Sequence, residues 1–322
     1  PILEFRLLPF CGHSRLLKKI NVNFVKLQLK RKNLLNEDKI IWLTHPSLFK
    51  LIKEECCKMI VYDCMDDALA FPSTVNDKRK LKELAKLENQ LCHRASLILC
   101  SSNNLKAKLM SRYNLDNNKI SVINNGIDTS VFLRKQALPT KYEKYFDGDG
   151  KKIVYIGTIS GWFDFDLIIK SLGYIPNIQY LLFGPAETKI PKHHGIIHCG
   201  PIEHQFVPSI MSMADTLVMP FKISELVRSV DPVKVYEYIC SGKPALVVGY
   251  EETEKFKDFV FLYSSCQDYV QKLNSILSGR ITLNIKTAKR IEFLEKSSWR
   301  YRVDEIIGLY PWIERVNEIS ST

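Results

Sequence analysis

SVDPVKVYEYICSGKPALVV, residues 229–248, runs through a helix start, a helix, a helix stop and a strand. Asp231 ahead of Pro232 reads as a cap with proline at the first helical position. Gly242 stops the helix, and Lys243-Pro244 leads into the apolar run Ala245–Val248. A helix feeding straight into a buried strand is the repeating unit of a parallel α/β sheet. The alternation extends outward in both directions. Strands read at residues 152–157, 180–183, 196–199 and 216–220, and helices at 164–171, 206–214, 253–259 and 266–278. This predicts a doubly wound, Rossmann-like α/β domain over 151–296. A helix within 297–322 follows, with Trp299, Val303, Ile306, Ile307 and Tyr310 on one face.

The first half repeats the pattern. Strands read at 40–44, 59–63, 97–101 and 120–123, and residues 76–94 form a helix with Leu81, Leu84, Leu87 and Leu91 at helical spacing. Periodicity is lost over 133–152, where KQALPTKYEKYFDGDGKK collects Lys, Asp, Gly and Pro. The expected division is therefore a first domain over 1–138, a linker over 139–150 and a second domain from 151. Two such domains face a cleft whose walls are loops at strand ends.

Composition bounds the class. The chain has 322 residues and is 46% hydrophobic, which excludes disordered and collagen-like chains. No stretch has the apolar length of a membrane span, and Glu4 and Arg6 interrupt any signal-peptide core in Pro1–Phe10. Nine cysteines without a C-x-x-C pair, several in apolar runs, read as buried thiols of a reduced, cytoplasmic chain. The net charge of +11 is uneven. Residues 1–138 hold 24 Lys+Arg against 13 Asp+Glu, and residues 139–322 hold 22 of each. The excess points the first half toward a polyanion or an anionic membrane surface. Within it RLLKKINVNFVKLQLKRK, from Arg15 to Lys32, has seven positive charges and no acid, with Leu16, Leu17, Ile20, Phe24 and Leu27 on one helical face. It suits an anionic membrane interface, or equally a domain helix with lysines in water. Nucleic acid is not expected, since no helix-turn-helix spacing, zinc pattern or aromatic-interleaved basic strand is present.

Three loops carry residue types with chemistry. At the helix start near Pro232, free N–H groups and the positive dipole end suit a phosphate, with Arg228 and Lys234 beside them. Glu237 lies one turn along from Lys234 and could hold ribose hydroxyls; an ordinary surface Lys–Glu pair is the plain alternative. VYDCMDD, residues 61–67, sets Asp63, Asp66 and Asp67 past a buried strand. They could orient hydroxyls, act as a base, hold a divalent ion, or cap the next helix. Thr44-His45-Pro46 follows the first strand, where His45 could face the cleft or be structural. The run HHGIIHC, with His193, His194, His198 and Cys199, lacks paired-ligand spacing, and no metal site is expected there.

P-x-K-x-Y-E-Y-x-x-S-G-K-P in the opening stretch resembles the donor-site signature of GT-B glycosyltransferases, in particular family GT4. ISVINNGIDTSVF (120–132) resembles that family's segment before the linker, and KIVYIGTISGWFDFDLI, YLLFGP and GPIEHQFVPSIMSMADTLVMPF resemble its nucleotide-domain strands in order. Trp162-Phe163-Asp164 and Tyr62 to Asp67 resemble the W-[FV]-D loop and YD-x-x-DD strand end of bacterial surface-polysaccharide and teichuronic-acid-type enzymes. The resemblance spans residues 40–315. It implies a GT-B fold with a C-terminal helix crossing back to the first domain. It also implies retaining transfer from a UDP- or GDP-linked sugar to a hydroxyl of a lipid-linked or growing polysaccharide, at the inner face of the cell membrane. No tightly bound cofactor and no essential metal are implied. Donor residues would be Gly157, Thr158, Trp162, Gly184, Pro185, Arg228, Ser229, Val233, Lys234 and Glu237; His45, Asp63, Asp66 and Asp67 would face the acceptor.

The chain departs from the pattern in three places. Ser229 stands where the E-x7-E motif has its first Glu, residues 157–165 contain no basic residue, and LEFRLLPF opens the chain where family members have a strand and a Gly-rich loop. The first domain is therefore expected to lack its first strand and loop. These departures keep two alternatives open: a non-catalytic GT-B-like scaffold of a synthase complex, and a sugar-nucleotide epimerase of the same fold.

Overall fold

A computed structural model describes residues 15–310 apart from 54, 56, 134 and 135. The opening segment and the expected helix beyond residue 310 lie outside the described residues. The chain divides into two compact units, 1–122 and 123–322.

In the first unit, β1 (Ile40–Leu43), β2 (Met59–Cys64), β3 (Leu97–Cys100) and β4 (Ile120–Val122) form one parallel sheet in that order. Its helices are α1 (Arg15–Arg31), α2 (Pro72–Val75), α3 (Lys78–Arg94) and α4 (Asn103–Tyr113). All four residues of β3 are buried, as an unbroken apolar run in a covered parallel strand should be. Asp77 caps α3 by accepting from the N–H groups of Arg79 and Lys80. The leucine spacing then turns Leu84, Leu87 and Leu91 into the core. Glu88 shares that buried face. Its carboxylate is tolerable there because Tyr62 Oη, Tyr113 Oη and Arg112 donate to it at 2.9, 2.6 and 3.1 Å.

The second unit opens with α5 (Thr129–Leu133) and α6 (Thr140–Glu143). Six parallel strands follow: β5 (Lys151–Ile156), β6 (Ile178–Phe183), β7 (Ile196–Gly200), β8 (Thr216–Met219), β9 (Ala245–Val248) and β10 (Phe261–Tyr263). Between and after them run α7 (Phe165–Tyr174), α8 (Val207–Met213), α9 (Glu225–Arg228), α10 (Val233–Ser241), α11 (Cys266–Leu277), α12 (Thr287–Lys296) and α13 (Trp299–Leu309). The strand order β10-β9-β8-β5-β6-β7 reverses between β5 and β8. That switch point is where an open α/β sheet leaves a crevice beyond its strand ends. β10 and α12 were not expected from the pattern. The first is a three-residue edge strand, and the second is a mostly exposed helix burying only Leu294.

The unit boundary falls earlier than the expected 138. Asn125 explains why residues just past β4 go with the second unit: its N–H donates to Asp231 Oδ2 and its Nδ2 to Asp231 O, both at 2.7 Å. Ile127 bridges to Ser298. A Cβ on Gly126 would lie 2.7 Å from the Trp299 ring, so only glycine permits this packing. Asp231 is therefore not the expected cap. Pro232 is the N-cap residue of α10, and Asp231 is a buried hub that also accepts from Tyr236 Oη and pairs with Lys255 at 2.7 Å.

Candidate active site

The glycines of the strand-end loops set the floor of the crevice. β5 ends at Gly157 and β6 at Gly184, with φ of +144° and +139°, where glycine is favoured. A Cβ on Gly184 would collide with the Gly157 carbonyl, so the two turns touch backbone to backbone. Ile159 N–H donates to Pro185 O and Glu187 N–H to Ile159 O, which zips the two loops together. Tyr155 Oη closes the turn by donating to Thr158 O at 2.8 Å. Trp162 is held from behind: its carbonyl accepts from Lys222 N–H at 2.7 Å and its ring meets Phe221 edge-on.

Lys234 reaches this floor from the first turn of α10. A Cβ on Gly157 would lie 3.5 Å from its Nζ. The ammonium sits over the rings of Phe221 and Tyr155, at 5.0 and 5.6 Å from their centroids. Among the described residues it makes no hydrogen bond and no ion pair. Burial pulls its pKa down to about 8, with Glu237 opposing. A cation without an ion pair, held against a glycine turn and beside a helix start without a side-chain cap, can accommodate an anion. Glu237 stands one turn on, its pKa raised by burial, with His204 Nε2 at 3.8 Å. His204 was not singled out in the sequence, nor were Phe221 and Tyr155 as the bed of Lys234. An isolated His or aromatic in a strand-and-loop run carries no spacing signal.

Other predicted donor residues stand apart. Arg228 makes a forked pair with Glu251 at 3.0 and 3.2 Å. Ser229 is buried and donates to Glu225 O. Val233 opens α10 and is exposed, while Pro185 sits on the loop after Gly184.

In the first unit, His45 and Asp66 line one pocket of about 590 Å³ together with Lys50, Lys80 and Glu83. His45 Nδ1 accepts from Ser47 N–H, so it caps the short 3₁₀ helix Pro46–Leu51; burial, then the Lys80 charge, lowers its pKa. Asp66 is an exposed residue at the pocket wall. Burial of its carboxyl, with the Asp67 charge second, pushes its pKa up to about 6. Asp63 accepts from Trp42 Nε1 at 3.0 Å, and burial raises its pKa despite that bond. Asp67 points inward instead, gripped by Arg112 at 3.0 and 3.2 Å with Lys108 at 3.7 Å. Its role is to fix the loop that presents Asp66.

Among the described residues no group of three or more His, Cys, Asp or Glu is placed to hold a metal ion. His193 stacks on His194, and His198 Nε2 contacts Gly184 O at 2.9 Å. No helix among the described residues is long and apolar enough to cross a membrane.

Residues 68–131 match glycosyltransferase family 4. The chain is 25% identical over 235 residues to TuaH of Bacillus subtilis, which carries the name of a teichuronic acid biosynthesis glycosyltransferase. That match covers 69% of this chain and 59% of TuaH, so the chain spans less than two thirds of this relative. In fold it is similar to HepE of Anabaena, solved with UDP, with a TM-score of 0.64, 14% identity and coverage of 100% of this chain and 86% of that one. It is also similar to a sucrose-phosphate synthase of Thermosynechococcus elongatus, with a TM-score of 0.68, 12% identity and coverage of 97% and 83%. Residues 68–131 match family 4 and the two parallel-stranded units share the GT-B fold of these neighbours, so the chain is similar to GT4 glycosyltransferases and has their fold.

Proposed function

We propose that the chain is a glycosyltransferase that takes a sugar from a nucleoside diphosphate sugar and passes it to a hydroxyl of a lipid-linked or growing bacterial surface polysaccharide. The observation that carries this reading is the unpaired Lys234 ammonium at the Gly157 turn, on the switch point of the second sheet. Lys234 and the first-turn N–H groups of α10 hold the diphosphate, and Glu237 holds the ribose hydroxyls. Gly184 and Pro185 edge the base, while Gly157, Thr158 and Trp162 line the sugar. The UDP bound to HepE, a fold relative, supports a uridine donor.

The acceptor hydroxyl attacks the anomeric carbon as the bond to the diphosphate breaks, and its proton leaves on the departing diphosphate oxygen. Lys234 neutralises the charge that grows on the leaving oxygen. Asp66 accepts a hydrogen bond from the acceptor, with His45 on the same pocket wall and Asp63 near the end of β2, the strand that precedes Asp66. Retention of configuration follows from the resemblance to family 4. The basic helix α1 leaves Ile20 and Leu27 41% and 45% exposed among its lysines, which supports docking at an anionic membrane face.

A donor screen tests the reading. Diphosphate release from one UDP- or GDP-sugar, dependent on a saccharide acceptor, is expected. Binding of no nucleotide sugar would instead identify a scaffold, and turnover without acceptor an epimerase.

A further inference from the structure

Three neighbouring strands of the second sheet end on glycine. β5 runs into Gly157, β6 into Gly184, and β7 closes on Gly200, with φ of +144°, +139° and +77°. A Cβ on Gly200 would meet nothing within 4 Å, so the row is open on that side. β7 also loses step with β6 here. Leu182 pairs with His198 but Phe183 pairs with Gly200, which leaves Cys199 as an extra residue in the ladder. A bulge re-aims the side chains beside it. The side chain beside this one is His198, and its Nε2 lies 2.9 Å from Gly184 O. A carbonyl can only accept, so Nε2 carries the hydrogen and donates. Gly184 N–H in turn donates to Gly200 O at 2.8 Å. β7 therefore holds Gly184 by both of its polar groups.

The His198 bond fixes a peptide that has no other polar handle. Pro185 has no N–H, so the Gly184–Pro185 peptide offers only its carbonyl, and glycine brings no side chain to steer it. His198 is itself exposed, so its ring is not there to fill the core. We infer that His198 is a positioning residue for the donor's nucleobase: acting through Gly184, it holds the Gly184–Pro185 wall in the orientation against which the base packs. The inference rests on the base-edge role proposed above for Gly184 and Pro185. The diphosphate end does not depend on this bond. Lys234 comes from α10, and Gly157 is tied to β6 by its own N–H, which donates to Phe183 O at 2.8 Å.

The test is calorimetry on the full chain with UDP, GDP and inorganic pyrophosphate, with circular dichroism of each variant. His198→Ala should weaken the tighter-binding nucleotide by roughly tenfold, the worth of one hydrogen bond, and leave pyrophosphate affinity unchanged. His198→Gln, whose side-chain amide can still donate, should restore most of the loss. The inference is overturned if His198→Ala binds the nucleotide as the wild type does, if nucleotide and pyrophosphate weaken together, or if the Gln variant is as weak as the Ala variant. A wild type that binds neither UDP nor GDP would sink the donor reading itself, and this inference with it.

Discussion

Lys234 Nζ stands over the Gly157 turn, where a Cβ on the glycine would come within 3.5 Å of it. Gly157 follows β5, and Lys234 lies in the first turn of α10, between β8 and β9. The fold brings them together only because strand order reverses between β5 and β8.

With its pKa near 8, Lys234 is charged below that value and neutral above it. In the proposed site the charged form binds diphosphate, so affinity for UDP should be full below pH 8 and decline as pH rises through it. An isothermal titration series across that range reads the slope, and Lys234→Arg should move the decline to higher pH.

Asp66 and Asp67 should part company. Asp66→Asn removes the acceptor-facing carboxylate and should cut kcat/KM by roughly a hundredfold with little change in melting temperature. In the wild type, kcat/KM should fall as pH drops through about 6, where Asp66 takes up a proton. Asp67→Asn should instead lower stability by about 1–3 kcal/mol, because Arg112 would lose one of its two buried carboxylates and keep only Glu88. Denaturant melts of both variants, run beside kinetics, separate the two roles.

Asp231→Ala should destabilise the second unit by roughly 3–5 kcal/mol, since it strands Lys255, Tyr236 and the Asn125 N–H together. Tyr236→Phe removes one donor and should cost only about 1 kcal/mol. Thermal melts that rank the two variants in the opposite order would contradict the hub.

Gly184→Ala should fail by backbone collision. Its Cβ would strike the Gly157 carbonyl at a φ of +139°, so at least about 2 kcal/mol of stability should be lost. Gly173→Ala, where a Cβ meets nothing within 4 Å, is the control and should be neutral or slightly stabilising in the same urea melt.

The strands were legible because each buried run is short, apolar and bounded by turns. LILC at Leu97–Cys100 and ALVV at Ala245–Val248 fall where alternation placed them. The placement of Lys234 and Glu237 on one helix was legible for a different reason, since proline, lysine and glutamate at fixed spacing define one helix face. Asp231 was misread because its partners, Asn125 and Lys255, are distant in sequence and no local pattern announces them. Asp67 was grouped with Asp66 because adjacency hides which side chain turns inward. Arg112, which decides that, lies on α4.

The central claim is that Lys234 and Glu237 hold a nucleoside diphosphate. Titration of UDP into the wild type, Lys234→Ala and Glu237→Ala tests it most directly, with far-UV circular dichroism confirming the fold. Saturable binding by the wild type, weakened at least about tenfold in each variant, is the predicted result. Equal UDP affinity in all three proteins would contradict the site.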